Sequence, residues 1–357
     1  MNVGIITFHC SYNFGSALQA FAMQTAAQKL GHTSALIDYR SADFDQYRLL
    51  QLKHPKSLLR TCLHLRSYMN RMKSFHAFWK KYYKLTKSYD YINESGLDNL
   101  GSEFDFFVCG SDQIWNLDCT GGAVEPFFLS FAGNKRRIAY APSLAHTSFK
   151  PENFDKEKVA GLLSKFDYIS VREEETVPLF QPLVDKPIEV VLDPTLLLNA
   201  GDYAEMTSRT VLEGDYIFMY LLRECPELIE STVAMANATG MKVAYISEKN
   251  LDIPNSFNLF GVGPEEFVSL IAHASLILTN SFHATVFSVL FHKPFRVFAT
   301  DNSGARMRDL LGNIGLSSRC TDAMCAVDID PCDWGDVDSR LDSLREHSWS
   351  YLRKALS

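Results

Sequence analysis

The sequence holds no cysteine pair in C-x-x-C spacing and neither a G-x-S-x-G nor an H-E-x-x-H motif. No run comes near the ~18–20 consecutive apolar residues of a membrane span. These absences remove metal-finger, serine-hydrolase, metallohydrolase and integral-membrane readings. Basic charge is also in deficit: 35 Lys+Arg against 42 Asp+Glu give a formal charge of −7, which argues against a general nucleic-acid binder. The start, MNVGIITFHC, has no basic n-region or cleavage site, so no signal peptide is expected and a cytoplasmic location is. One absence is local. Residues 46–88 contain eleven Lys/Arg and no Asp/Glu, leaving the remainder of the chain the more acidic.

What is present is ordinary for a water-soluble globular chain: 46% hydrophobic and 22% charged residues, with 357 residues to share between domains. That length predicts two domains. The eight cysteines are scattered, and Cys109, inside the apolar run DFFVC, reads as a reduced core residue. Short, continuous β-branched or aromatic runs alternate with helical patterns almost from end to end. The runs are 3–8, 34–38, 105–109, 137–141, 167–171 and 188–192, then 215–222, 242–246, 275–279 and 295–299. Candidate helices fall at 16–30, 157–165, 226–239, 265–273, 282–291 and 306–313. Runs of this kind are strands covered on both faces, and their alternation with helices means parallel sheets of right-handed βαβ units.

The pattern restarts after LDPTLLLNAGDY (192–203). The fold class expected is therefore α/β, with two Rossmann-like, doubly wound domains facing across a cleft. The N-terminal domain is expected over 1–195, with a basic helical insertion at about 46–88, and the C-terminal domain over 196–335. A last helix, 336–357, is expected to pack back on the first domain. RSYMNRMKSFHAFWKKYYKL in the insertion interleaves Arg/Lys with aromatics. It reads either as a solvated face or as an amphipathic surface for anionic membrane or a phosphorylated lipid-linked glycan at the inner face of the membrane.

Polar motifs gather where strands end, and ligands of open α/β sheets bind outside those carboxyl ends. YNFGSALQAF follows the first strand. Asn13, Gly15 and Ser16 form a turn there with Ser16 as the expected N-cap, and the helix N-terminus offers N–H groups to an anion. This turn is not G-x-G-x-x-G, so a dinucleotide reading finds no support. CGSDQIWN follows DFFVC, and Ser111, Asp112, Gln113 and Asn116 are groups able to hold sugar hydroxyls. Trp115 reads as a sugar-stacking platform or as core. Arg172, directly after DYISV, suits a phosphate or carboxylate or else a salt bridge to Glu173–Glu175. In TNSFHATVFSVLFHKPF, Ser281 is the expected N-cap and His283 the second helical residue. Phe282, Val286, Val289 and Leu290 form the buried face of that helix.

NFGSALQAFAM, CGSDQIWN, SVREEET, LDPTLLL and TNSFHATVFSVLFHKPF, in this order and spacing, resemble the polysaccharide pyruvyl transferase family over about residues 3–315. The resemblance implies a fold like that of the two-domain, GT-B-like glycosyltransferases. It implies transfer of pyruvate from phosphoenolpyruvate onto two sugar hydroxyls as a cyclic ketal, in exopolysaccharide or cell-envelope biosynthesis. The partners implied are phosphoenolpyruvate and a glycan or lipid-linked oligosaccharide. No cofactor is implied, and with no ligand cluster visible no metal is expected. By motif match His283 is the implied catalytic residue and Arg172 a donor-binding one. Many members carry an Arg where this chain has Ser281, so a second cation is needed. Lys293, Arg306 and Arg308 are the candidates, and Arg306 is preferred because it opens a helix after FRVFA. Two alternatives remain: a GT-B-type glycosyltransferase using a nucleotide-sugar, and a non-catalytic glycan-binding protein.

Overall fold

The computed structural model describes residues 1–41, 65–144, 148–299, 304–321, 323 and 332–357. The chain divides into two compact units. Unit 1 comprises Met1–Leu49, Trp79–Leu198 and Leu344–Ser357, and unit 2 comprises Leu50–Phe78 and Asn199–Ser343.

Unit 1 is built on seven strands: β1 (Asn2–Ile6), β2 (Thr33–Arg40), β3 (Leu85–Asp90), β4 (Phe106–Cys109), β5 (Arg136–Ala139), β6 (Tyr168–Val171) and β7 (Ile188–Val190). They lie in the order β3-β2-β1-β4-β5-β6-β7, every pair parallel. The central strands are apolar on both faces because helices cover both. Val3, Ile5, Phe107 and Val108 are fully buried. Helix α1 (Phe14–Lys29) covers the first crossover, its Ala17, Ala20, Ala22, Met23, Ala26 and Ala27 all buried. The core is dense in aromatics. Trp115 stacks on Phe128 at 5.1 Å and donates its indole N–H to the Phe127 carbonyl. That resolves the two readings of Trp115 in favour of core, since it is 0% exposed.

Unit 2 carries six parallel strands, β8 (Tyr216–Tyr220), β9 (Lys242–Ile246), β10 (Ser256–Asn258), β11 (Leu276–Thr279), β12 (Phe295–Phe298) and β13 (Cys320–Thr321). Their order is β10-β9-β8-β11-β12-β13. A second core forms on Ile217, Met219, Leu228, Val243, Leu278 and Phe298.

The expectation of a helical stretch over 46–88 is revised in its last residues. Residues 42–64 lie outside the described residues, so that part of the basic stretch goes without account. The described remainder is helix α2 (Leu65–Tyr82) followed by β3, where a helical pattern was expected to run to 88. LTKSYD adds to the outer side of β2, and an edge strand can be polar and carry a lysine, here Lys87, without looking strand-like. One stripe of α2 is buried: Tyr68 and Arg71 pack on Phe260, while Arg66, Met69, Lys73 and Lys80 are exposed. Among the described residues no helix is long and apolar enough to cross a membrane.

The last helix, α8 (Trp334–Leu356), ends within unit 1. There Tyr351 Oη donates to the Ala139 carbonyl at 2.8 Å, and Ser348 Oγ accepts from Leu192 N at 3.0 Å. Helices α3 (Lys156–Leu163), α4 (Pro226–Thr239) and α5 (Pro264–His273) follow β5, β8 and β10, each within two residues of the sequence expectation.

The carboxyl edge of unit 1 depends on one close approach. Gly110 follows β4 at φ +110°, and a Cβ there would stand 2.1 Å from the Tyr140 carbonyl oxygen. Neither the angle nor the space admits a side chain. Gly110→Ala is expected to lower unfolding stability by ~3 kcal/mol, from strain and backbone displacement together. Equilibrium denaturation measures this, and an unchanged midpoint would show that the loop has room.

Candidate active site

In both sheets the strand order reverses beside the first strand, between β1 and β4 in unit 1 and between β8 and β11 in unit 2. Crossovers leave such neighbours toward opposite faces, so a crevice opens at their carboxyl ends. Each unit has polar residues there.

In unit 1 the crevice is a pocket of about 620 Å³, its open mouth included. Thr7, Cys10, Ser11, Asn13 and Ser16 line it from the loop after β1, Asp112 and Gln113 from the loop after β4, and Tyr39 and Ser41 from the end of β2. Asn13, rather than Ser16, caps α1: its side chain accepts from Ser16 N at 3.1 Å. The helix starts two residues earlier than expected, and this leaves the Ser16 hydroxyl to donate to Asp112 Oδ2 at 2.5 Å. Asp112 Oδ1 takes the Gln113 N–H at 2.9 Å, so the carboxylate is held from both sides at the pocket wall. Asn13, Ser16, Asp112 and Gln113 are thus brought together.

The other sequence candidates of unit 1 have structural partners. Gly15 is buried in the first turn of α1. Asn116 caps the short helix Leu117–Thr120 and donates to Gln113 Oε1 at 2.9 Å. Ser111 is fully buried, donating to the Ala141 carbonyl at 2.6 Å. Arg172 is buried with a side chain 3% exposed, Nε 2.9 Å from Glu173 and Nη1 2.7 Å from Asp193. Burial disfavours its charge, but Glu173 and Asp193 outweigh that and hold the guanidinium firmly protonated. Of the two readings of Arg172, the salt bridge is the one formed here.

A further group went unread in the sequence. His9 is 2% exposed, with Nε2 3.1 Å from Asp38 Oδ1 and Nδ1 3.2 Å from the Thr7 carbonyl. Burial opposes its charge, yet the Cys10 and Asp38 charges and hydrogen bonds prevail and raise it from 6.5 to about 10. Asp38 moves the other way, to about 2: its burial is overcome by His9 and Arg40. Asp38 lies 29 residues from His9, inside an apolar strand run, and the available signal was a lone carboxylate at that strand's carboxyl end.

In unit 2 the Ser281 side chain caps helix α6 (Phe282–Leu290) by accepting from Ala284 N at 3.4 Å. Phe282, Val286, Val289 and Leu290 are buried as the helical face requires, and His283 is half-buried in the first turn. Asn280 sews this edge to the loop after β8, accepting from Leu222 N at 2.7 Å and donating to the Arg223 carbonyl at 2.9 Å. Arg306, at the start of helix α7 (Ala305–Asn313), lies over the Phe282 ring at 5.7 Å, and His283 meets the same ring edge-to-face at 5.3 Å. Arg308 is bonded to the Ala299 carbonyl. Lys293 leaves the candidate set. It precedes β12, which runs parallel to β11, so it sits at the amino edge of the sheet, a full helix away from His283.

Two outcomes follow. Arg172→Met is expected to cost ~3–5 kcal/mol of stability, because Glu173 and Asp193 would stay buried without their cation. An unchanged melting temperature would show the pairs to be absent. For His9 the folded pKa lies above the unfolded one, so its contribution is complete below 6.5 and lost as pH rises through about 10. The melting-temperature gap between wild type and His9→Gln should be full below about pH 6.5, shrink steadily above it and close near pH 10. A gap that does not change with pH between about 6 and 10 would show that folding does not raise the proton affinity of His9.

The model of the polysaccharide pyruvyl transferase family matches residues 13–302. A sequence comparison with curated proteins finds no match. Among solved structures the chain is similar to the UDP-GlcNAc 2-epimerase of Neisseria meningitidis bound to UDP-GlcNAc, at 12% identity and a TM-score of 0.50, covering 99% of this chain and 94% of that one. It is also similar to the UDP-GlcNAc 2-epimerase of Methanocaldococcus jannaschii, at 14% identity and a TM-score of 0.49, covering 96% and 92%. The spinosyn rhamnosyltransferase SpnG follows at 10% identity and a TM-score of 0.46, covering 99% of each chain. At these identities the likeness concerns the fold alone, the two Rossmann-like domains of the GT-B-like class. The family match spans most of the sequence, from the turn that opens α1 past the carboxyl edge of β12, and by it the chain belongs to the polysaccharide pyruvyl transferase family, a family of transferases.

Proposed function

We propose that the protein transfers pyruvate from phosphoenolpyruvate to two hydroxyls of a sugar in a surface-glycan precursor, giving a cyclic ketal. What supports this reading is the family match over residues 13–302 together with His283 in the first turn of α6, at the switch point of the unit 2 sheet.

The donor carries a phosphate and a carboxylate. The N-terminus of α6 supplies N–H groups and positive potential, and Arg306, over Phe282, supplies the second cation in place of the arginine that Ser281 does not provide. His283 gives a proton to C3 of the enol, and C2 becomes oxocarbenium-like. One sugar hydroxyl forms a C–O bond to C2 and returns its proton to His283. The second hydroxyl then attacks C2 as the C2–O bond to phosphate breaks. Its proton departs with the phosphate, so the atoms balance. The pocket of unit 1, with Asn13, Ser16, Asp112 and Gln113, offers polar groups of its own, the Asp112 carboxylate among them as an acceptor for a hydroxyl.

Phosphoenolpyruvate incubated with a panel of hexose-containing oligosaccharides should release phosphate and add pyruvate mass to one sugar. His283→Ala should lower kcat by ~10²–10⁴, the usual span of a general acid. Arg306→Gln should raise KM for phosphoenolpyruvate about tenfold, the loss of one charge-assisted contact. Full activity in His283→Ala would remove it from the chemistry. Thermal stabilisation by UDP-sugars and none by phosphoenolpyruvate would overturn the donor.

A further inference from the structure

One face of helix α2 is fixed to the protein. Tyr68, Arg71, Phe75 and Phe78 are buried, with Tyr68 edge-to-face on Phe260 at 5.0 Å and Arg71 Nη1 donating to the Phe260 carbonyl at 3.2 Å. The backbones approach closely there: a Cβ on Gly263 would stand 2.6 Å from that of Ser74. The helix therefore cannot turn about its axis, and its opposite face points outward. Along that face Arg66, Lys73 and Lys80 recur at a seven-residue spacing, about 10.5 Å apart and each turned only ~20° from the last. All three are exposed, and no hydrogen bond or ion pair holds their side chains among the described residues. Met69, 46% exposed, stands between the first two, and Leu65, 47% exposed, opens the helix beside them. Residues 46–88 hold no acidic side chain to neutralise this row, in a chain whose formal charge is −7. On the packed side, Glu266 Oε2 is already bonded to Gly263 N at 2.9 Å.

We propose that this face of α2 docks the protein on a bilayer leaflet carrying anionic phospholipids, with Arg66, Lys73 and Lys80 over the headgroups and Met69 and Leu65 dipping into the interface. Three features favour a lipid surface over another polyanion. The cations form a row about 21 Å long on an exposed helix, which fits a plane of many headgroups and encloses no single phosphate. Apolar side chains are interleaved with them, and a lipid interface gives these a place that a nucleic-acid backbone does not. The rest of the chain is net acidic, which opposes wrapping by a polyanion but permits one-sided contact with a plane. The contact is peripheral, because the inner face of α2 belongs to the protein core. Each Lys or Arg near an anionic leaflet strengthens binding about fivefold, and salt screens that attraction within a Debye length.

The test is flotation of the full chain with vesicles of phosphatidylcholine, alone or with about 30% phosphatidylglycerol, at about 50 and 300 mM salt. Binding is expected to the anionic vesicles only, and should fall by about tenfold or more at the higher salt. Arg66→Gln/Lys73→Gln/Lys80→Gln should weaken it ~100-fold at low salt. Lys150→Gln/Lys156→Gln/Lys165→Gln removes three exposed lysines of unit 1, the same change of charge, and should leave binding within about twofold. Met69→Ser should cost about fivefold at either salt, because apolar contact is not screened. All these side chains are exposed, and an unchanged melting temperature shows that each variant folds. Full binding by the α2 triple variant overturns the proposal. Equal loss in both triple variants does so too, since net charge alone would then explain the attraction. Tighter binding to a DNA duplex than to the vesicles, with Met69→Ser neutral toward both, would make the face a nucleic-acid contact and overturn the lipid assignment. None of these readouts depends on pyruvyl transfer, so each reading can fail without the other.

Discussion

The reversal of strand order beside β1 and again beside β8 is the constraint from which the rest of the molecule follows. Parallel strands can be joined only by crossovers, and right-handed crossovers send the chain to one face on one side of the reversal and to the other face beyond it. At that point no connection closes the carboxyl edge. The polar turns of this sequence are found at those edges: Cys10 to Ser16 and Asp112 to Gln113 in unit 1, Asn280 to His283 in unit 2. They are polar because the strands beneath them, such as VGII and LILT, are buried on both faces and cannot carry such groups.

Holding an open edge in place needs bonds between loops, and unit 1 has a buried network for this. Asp193 after β7 accepts from Arg172 after β6 and, at 3.4 Å, from Ser111 after β4. Glu173 accepts from Arg172 and from Ser143, which follows β5. Four consecutive sheet loops are thereby tied through two carboxylates and one guanidinium. Such a network in a low-dielectric interior is worth more as a specification of geometry than as net stability, since the desolvation of its charges offsets much of their attraction. Asp112 inherits that geometry: the residue before it is held by the network and the residue after it by Asn116.

How far the sequence could be read depended on whether local pattern or distant pairing decides each feature. Buried strands and amphipathic helices announce themselves within a few residues, and all ten runs found their places in the two sheets. β3, β10 and β13 were not among those runs, because they are edge strands, short or polar, without a continuous apolar stretch. At the sites the same division holds. Ser281 as N-cap and His283 in the first turn follow from a short motif, whereas the partners of Arg172 include Asp193, 21 residues away, and those of His9 include Asp38. Lys293 shows the converse failure: close in sequence to His283, it stands at the other edge because the helix between them runs the depth of the sheet.

The imidazoles of His9 and His283 are both at carboxyl edges, yet the chain prepares them for different work. His9 is enclosed, with both nitrogens committed to acceptors, and its charge is a fixed property of the fold. A group so held can give up its proton only by losing its charge-assisted bond to the buried Asp38, so it serves as a permanent cation. His283 is half-buried in a helical first turn, beside an aromatic face shared with Arg306. In the proposed reaction the proton is assigned to His283, in the first turn of α6, whereas His9 contributes a fixed positive charge next to Cys10 at the wall of the unit 1 pocket.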